Sequence, residues 1–242
     1  MLNKFKNLCA FTLAEVLITL GIIGVVAALT IPTLINNHKK TQTITQLKEI
    51  YAILTQTVKF AEVDYGSTDS WDWGPTSNLA LTTLFADTYF YPYIKTVTRC
   101  DSNSTVCWNS QKSISNVSST NFNSATSLSA ILPSGASVYF WTGGSALPHV
   151  QIWVDVNGPN KGGNKIGNDI FHFLLFLKAD ATYKQGLFPT GLEYQVPYTR
   201  AQLKSMASVG CSTSISATMA GRECSGLIVL DGWKIADDYP WD

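Results

Sequence analysis

Charge is scarce in this 242-residue chain: Asp, Glu, Lys and Arg together make up 14% of it, against roughly 25% in an average domain. Basic and acidic side chains balance at 17 each, so the positive surplus that a phosphate backbone demands is missing, and no nucleic-acid partner is expected. His38, His149 and His172 lie far apart, and the cysteines lack the close pairing of zinc sites. No Gly-x-Ser-x-Gly elbow, His-Glu-x-x-His pair or Gly-Lys-Ser/Thr phosphate loop occurs. These absences exclude the common hydrolase, metalloprotease and nucleotide-binding readings, and the chain is not expected to be an enzyme.

What is present suits life outside the cytoplasm. Ser, Thr, Asn and aromatic residues are plentiful, and beyond Cys9 there is an even set of four cysteines, Cys100, Cys107, Cys211 and Cys224. Four cysteines suggest two disulfides; Cys100–Cys107 and Cys211–Cys224 close the shortest loops, but three connectivities remain open.

One long apolar run dominates the start. Residues 1–10 form a short basic leader, and residues 11–35 carry a single charge, Glu15. As a helix this run is about 37 Å long, enough to cross a hydrocarbon core of about 30 Å. It is too long for the apolar region of a cleaved secretory signal. Lys4 and Lys6 favour a cytoplasmic N-terminus and an exported remainder. A carboxylate in such a span costs about 2.5–3.5 kcal/mol on insertion scales, so Glu15 calls for a positive partner. Gly21 and Gly24 offer a small face for helix packing, and Pro32 removes one backbone donor and loosens the helix locally.

The polar stretch after residue 35 keeps an apolar stripe, with Ile44, Leu47, Tyr51, Leu54, Val58 and Ala61 at steps of three and four. The spacing predicts that the helix continues through residues 36–62 and packs on a sheet. Turn formers fill 64–78, a shorter helix is expected within 79–93, and Ser, Asn and Thr dominate 101–129. Residues 137–142, 150–156 and 170–177 read as strands of an antiparallel sheet. Residues 224–230 fit either a strand or a short helix. Trp141 and Trp153 belong to the strands. Trp71, Trp73, Trp108, Trp233 and Trp241 fall in loop-like segments, where packing beneath a lid is expected.

The leader, the Phe11-Thr-Leu-Ala-Glu15 start and the late Pro32 resemble the class III signal of type IV pilins and type II secretion pseudopilins. The resemblance implies cleavage between Ala10 and Phe11 by a prepilin peptidase, although Gly is usual where Ala10 stands. It implies N-methylation of Phe11, and a Glu15 carboxylate that complements the amine of a neighbouring subunit. Carboxylate and ammonium brought together in a low-dielectric bundle each offset the other's desolvation. The implied fold is α+β and pilin-like: a long N-terminal helix, half membrane-spanning and half amphipathic, packed on an antiparallel sheet with disulfide-pinned loops. The divisions are leader 1–10, assembly helix 11–35, amphipathic continuation 36–62 and exported domain 63–242. The implied partners are other pilin-like subunits, the prepilin peptidase and an inner-membrane assembly platform. The implied location is the inner membrane, single-pass, and then a filament in the periplasm or on the cell surface.

A polar loop after the second strand, from Asp155 through Asn157 to Asp169, alternates oxygen-bearing side chains with glycine. It resembles a stretch found in pseudopilin-like proteins, some of whose relatives hold calcium, and Asp155, Asn157 and Asp169 are the candidate ligands. A long hairpin loop closed by Asx-turns is the alternative. Two other functions stay open: a minor pilin whose head binds a ligand, DNA or a surface, and a membrane-tethered enzyme.

Overall fold

The computed structural model describes residues 12–72, 78–102, 104–119, 126–143 and 147–241. The cleavage-site pair Ala10 and Phe11 and the loop residue Trp73 lie outside this set. The chain divides into two compact units, 1–42 and 43–242. The division falls inside one helix, α1 (Leu13–Tyr65), which runs through Pro32. Its first portion is bare: large apolar side chains from Leu13 to Ile35 are between 41% and 78% exposed.

The second portion supplies the core of the 43–242 unit. Ile44, Leu47, Ile50, Leu54, Val58 and Ala61 are buried there, one stripe of a helix with a 3.6-residue period. The stripe contains Ile50 and Thr57 in addition to the expected positions, while Tyr51 lies half-buried at its margin. Burial of each large side chain stabilises by about 1.5–3 kcal/mol. Thr55 and Thr57 donate to Tyr51 O and Ile53 O, four residues back, sharing those carbonyls with the helix's own N–H groups, a back-bonding that weakens a helix slightly and leaves burial of the stripe to hold it.

The next α-helix is α2 (Leu79–Tyr89), whose N-terminus is capped by Asn78 accepting from Leu81 N. Among the described residues eight strands follow: β1 (Thr98–Cys100), β2 (Gln111–Lys112), β3 (Ser118–Ser119), β4 (Leu128–Ile131), β5 (Ser137–Gly143), β6 (His149–Asp155), β7 (Ile170–Phe176) and β8 (Gly186–Pro189). Two short helices, α3 (Arg200–Ser205) and α4 (Cys224–Leu230), complete the chain. The main sheet is antiparallel in the order β1-β4-β5-β6-β7-β8, and β2 pairs with β3 beside it. The α+β architecture expected from the sequence is therefore present, with strands β5, β6 and β7 within a residue of their predicted spans. Residues 224–230 are helical.

Period-two alternation divides the sheet's side chains between two faces. Val138, Phe140, Val150, Ile152, Val154, Phe171, Phe173 and Leu175 join the α1 stripe in the main core, and Tyr51 stacks on Phe173 at 5.4 Å. The opposite face carries Tyr139, Trp153 and Ile170, which form a second cluster with Trp108 and Ile166. Trp71 and Trp108 are buried, as lid packing requires, and Trp233 and Trp241 pack half-buried against the main core.

Loops cover the outer face and are tied together by backbone hydrogen bonds. Lys112 N donates to Asn164 O at 2.8 Å, Ile166 N to Lys112 O at 2.8 Å, and Ile114 N to Ala220 O at 2.9 Å. Two disulfides pin the same layer, Cys100–Cys107 and Cys211–Cys224, which resolves the three open connectivities in favour of the local pairs. Gly167, at φ +88°, is required here: a Cβ would stand 2.7 Å from Ile114 Cδ1 and 2.8 Å from Cys224 Sγ. Cys211 and Cys224 are fully buried and 13 residues apart. Replacing both by Ser is expected to lower unfolding stability by about 2–4 kcal/mol, read as a reduced urea midpoint.

Candidate functional site

Three places carry the residues singled out by sequence. The first is the N-terminal portion of α1. Thr12 N and Thr12 Oγ1 both donate to Glu15 Oε2, at 2.9 and 2.7 Å, and Glu15 N donates back to Thr12 Oγ1 at 3.3 Å. Reciprocal bonds of this kind cap the start of the helix. A Cβ built on Gly21 or Gly24 meets nothing within 4 Å, so no contact among the described residues requires glycine at either position.

The second place is the loop joining β6 to β7, which brings Asp155, Asn157 and Asp169 together. Asp155 Oδ1 accepts from Asn157 N at 3.2 Å and Gly158 N at 2.9 Å. Asp169 Oδ2 accepts from Asn164 N at 3.0 Å and Asn157 Nδ2 at 3.4 Å, and Asp169 Oδ1 accepts from Lys165 N. In the same loop Asn157 Oδ1 and Asn168 Oδ1 are buried without a hydrogen-bond partner among the described residues; a hard cation takes six to eight oxygens. Among the described residues, no group of three or more His, Cys, Asp or Glu side chains is placed to hold a metal ion. Asp155 closes an Asx-turn at the start of the loop through Asn157 N and Gly158 N.

Burial gives that loop a pH dependence. Desolvation, reinforced by the nearby Asp169 carboxylate, pushes the Asp155 carboxyl up to about 7, and desolvation also raises Asp169. An unfolded Asp releases its proton near pH 4, so between about pH 4 and pH 7 the folded state binds more protons than the unfolded one. The contribution to stability is therefore greatest below pH 4 and is lost as pH rises through about 7.

The third place was not gathered by sequence reasoning. On the outer face of β6 and β7, His149, Gln151, His172, Leu174 and Phe176 line an open cleft of about 410 Å³. Its flank comes from Tyr183, Glu193, Tyr194 and Arg222. His149 and His172 sit on the strands, as expected, but Gln151 and Leu174 form the register pair between them, so the two do not converge on one atom. His172 is 1% exposed, and its ring lies 4.2 Å from that of Trp153. Glu193, 2% exposed, accepts from Gly191 N at 2.5 Å, and desolvation raises its carboxyl to about 7. Arg222 is engaged with Glu223 Oε1 at 3.2 Å. The sequence signal for this cleft was faint: Tyr183 and Tyr194 pair locally, but Arg222 and the β6 and β7 residues come from distant parts of the chain.

Two outcomes follow for the polar loop. Asp155→Asn keeps the acceptor for Asn157 N and Gly158 N while removing the buried charge. The variant is expected to be more stable than the parent above pH 7 by roughly 2–4 kcal/mol, with the difference shrinking toward pH 4 in urea titrations across pH. Calcium or EDTA is expected to leave the melting temperature unchanged; a rise with added calcium would mean that the ion binds the folded state.

No curated protein and no solved structure matches the chain. A family model does match it over residues 33–242, the amphipathic half of α1 and the whole of the β-rich domain. The chain belongs to this family, which is described as a family of unknown function, DUF6613.

Proposed function

We propose that the chain is a structural subunit, a pseudopilin or pilin-like protein, of a filament of the type II secretion or type IV pilus kind. The observation that carries the reading is a single helix with two differently covered portions. From Leu13 to Ile35 its apolar side chains are bare, while from Ile44 to Ala61 one stripe is buried in the domain core. A bare apolar helix of this length and composition is suited to a bilayer or to a bundle of like helices, the two environments that a filament subunit occupies in turn.

In this reading a prepilin peptidase cuts between Ala10 and Phe11, and the new amine of one subunit approaches Glu15 of another. Glu15 is held at its helix start by Thr12 through one oxygen, Oε2, and the incoming ammonium takes Oε1. The pair forms where water is excluded, so each charge removes the other's desolvation penalty. Gly21 and Gly24, open on the isolated helix, then serve contacts between subunits. Pro32 leaves one carbonyl of the helix without its backbone donor, which allows the helix to adjust locally as it leaves the bilayer. The exported domain contributes a disulfide-tied surface layer suited to an oxidising compartment.

The test is intact mass and N-terminal sequencing of the membrane-derived protein, together with incorporation of Glu15→Ala into filaments. The expected result is a chain beginning at methylated Phe11, with incorporation of the variant reduced at least tenfold while its disulfides and membrane level match the parent. An uncut Met1, or a variant that assembles normally, would show the helix to be a simple anchor.

A further inference from the structure

Among the residues that line the outer-face cleft, His172 carries a polar atom that the described residues leave without a partner. Thr190 Oγ1 lies 3.0 Å from His172 O and 2.6 Å from His172 Nδ1. The assignment that uses both contacts has the hydroxyl donating to the carbonyl and Nδ1–H donating to the hydroxyl oxygen. That leaves Nε2 of His172, which is buried and has no hydrogen-bond partner among the described residues. Protonation does not resolve it: burial, with Arg222 and His149 nearby, drives the imidazole well below its ordinary range. Buried acceptors are normally paired, so an outside hydroxyl or N–H is wanted at this position.

The surroundings narrow the chemistry. The flank of the cleft is a run of aromatic rings: Phe176 stacks on Tyr183 at 4.5 Å, Tyr183 lies 4.9 Å from Tyr194, and Tyr194 lies 4.6 Å from Tyr198. Glu193 adds a buried acceptor, and Gln151 offers both a donor and an acceptor. The positive charge of Arg222 is already met by Glu223. An anionic ligand would face Glu193, and a cationic one would face Arg222. A neutral ring edged with hydroxyls satisfies acceptors and donors alike, and its C–H face suits an aromatic flank. A hydroxyl also pairs with Nε2 in either imidazole tautomer, which an ammonium does not. The cleft volume of about 410 Å³ falls within the roughly 300–1,000 Å³ usual for small-molecule sites.

We propose that this cleft is a saccharide-binding site, taking one or two neutral sugar rings with a ring hydroxyl on His172 Nε2 and a ring face against Tyr183 and Tyr194. The site lies wholly within the 43–242 unit and does not depend on how the N-terminal helix is used. Binding would give the exported domain a role at glycan-bearing surfaces, in addition to its place in an assembly.

The full chain, labelled with ¹⁵N-histidine and held in lipid nanodiscs free of glycoside detergent, is titrated with glucose, galactose, N-acetylglucosamine, maltose and lactose up to about 10 mM, where even a millimolar site saturates. The expected result is that at least one sugar moves the His172 Nε2 resonance and receives saturation transfer from the tyrosine rings. Tyr194→Ala and Gln151→Ala, both at half-buried lining positions, are expected to weaken that binding at least tenfold, with the backbone amide spectrum confirming each fold. Phe60→Ala, on the exposed side of α1, is expected to leave it unchanged. The proposal is overturned if no sugar in the series moves Nε2, if binding survives in both cleft variants, or if tetramethylammonium occupies the cleft while the sugars do not.

Discussion

Every residue of β7 is buried, from Ile170 to Phe176, and that single fact shapes the rest of the β-rich domain. A strand with both faces out of water needs cover on both sides, yet among the described residues one long amphipathic helix is there to provide it. Residues Ile44 to Ala61 of α1 cover one face with aliphatic side chains. The other face has no helix of comparable length among the described residues and is closed by loops. Loops pack poorly without ties, because each carries backbone groups that need partners. The two disulfides, the cross-loop backbone bonds and the buried Trp108 supply those ties.

The two layers differ in chemistry as well as construction. The α1 side of the sheet is almost wholly apolar, whereas the loop side encloses Asp155, Asp169, Glu193, Glu223 and His172. Burial raises all four carboxyls and lowers the imidazole, so each of these groups is drawn toward its neutral form. Neutral buried groups behave as ordinary hydrogen-bonding atoms, and most of them find backbone donors within the loops that carry them. Asp155 and Asp169 do so within the β6–β7 loop.

Much of this was legible in the sequence, for identifiable reasons. Strands β5, β6 and β7 are dense in Val, Ile, Phe and Trp, and the α1 stripe keeps its helical step through a polar stretch. The short partners were not: β4 reads Leu-Ser-Ala-Ile and β8 reads Gly-Leu-Phe-Pro, sequences that become strands because a neighbouring strand offers them hydrogen bonds. Cys224 to Leu230 had the composition of either element, and its helical outcome follows from tertiary ties such as Ser225 Oγ donating to His172 O at 2.6 Å. The local disulfides agreed with the shortest loops, but geometry had to choose them. The cleft was the least legible feature, since it is assembled from β6, β7, a loop near Tyr194 and Arg222, with no local signature of its own.

The hydrogen bond from Tyr51 to the backbone oxygen of Leu187 spans 136 positions of the chain. The sheet itself is mostly a meander of neighbours, each strand beside the next from β4 to β8, and can form as it emerges. The helix that covers it is made first and has nothing to cover. At synthesis rates of about 5–20 residues per second, its apolar stripe waits on the order of ten seconds for the strands that will bury it. During that interval the nascent chain presents a greasy helical ribbon continuous with an equally greasy first portion of α1, so its biogenesis is a matter of timing as much as of affinity. A ribosome pause placed before β5 would lengthen the exposure, and one placed after β8 would not.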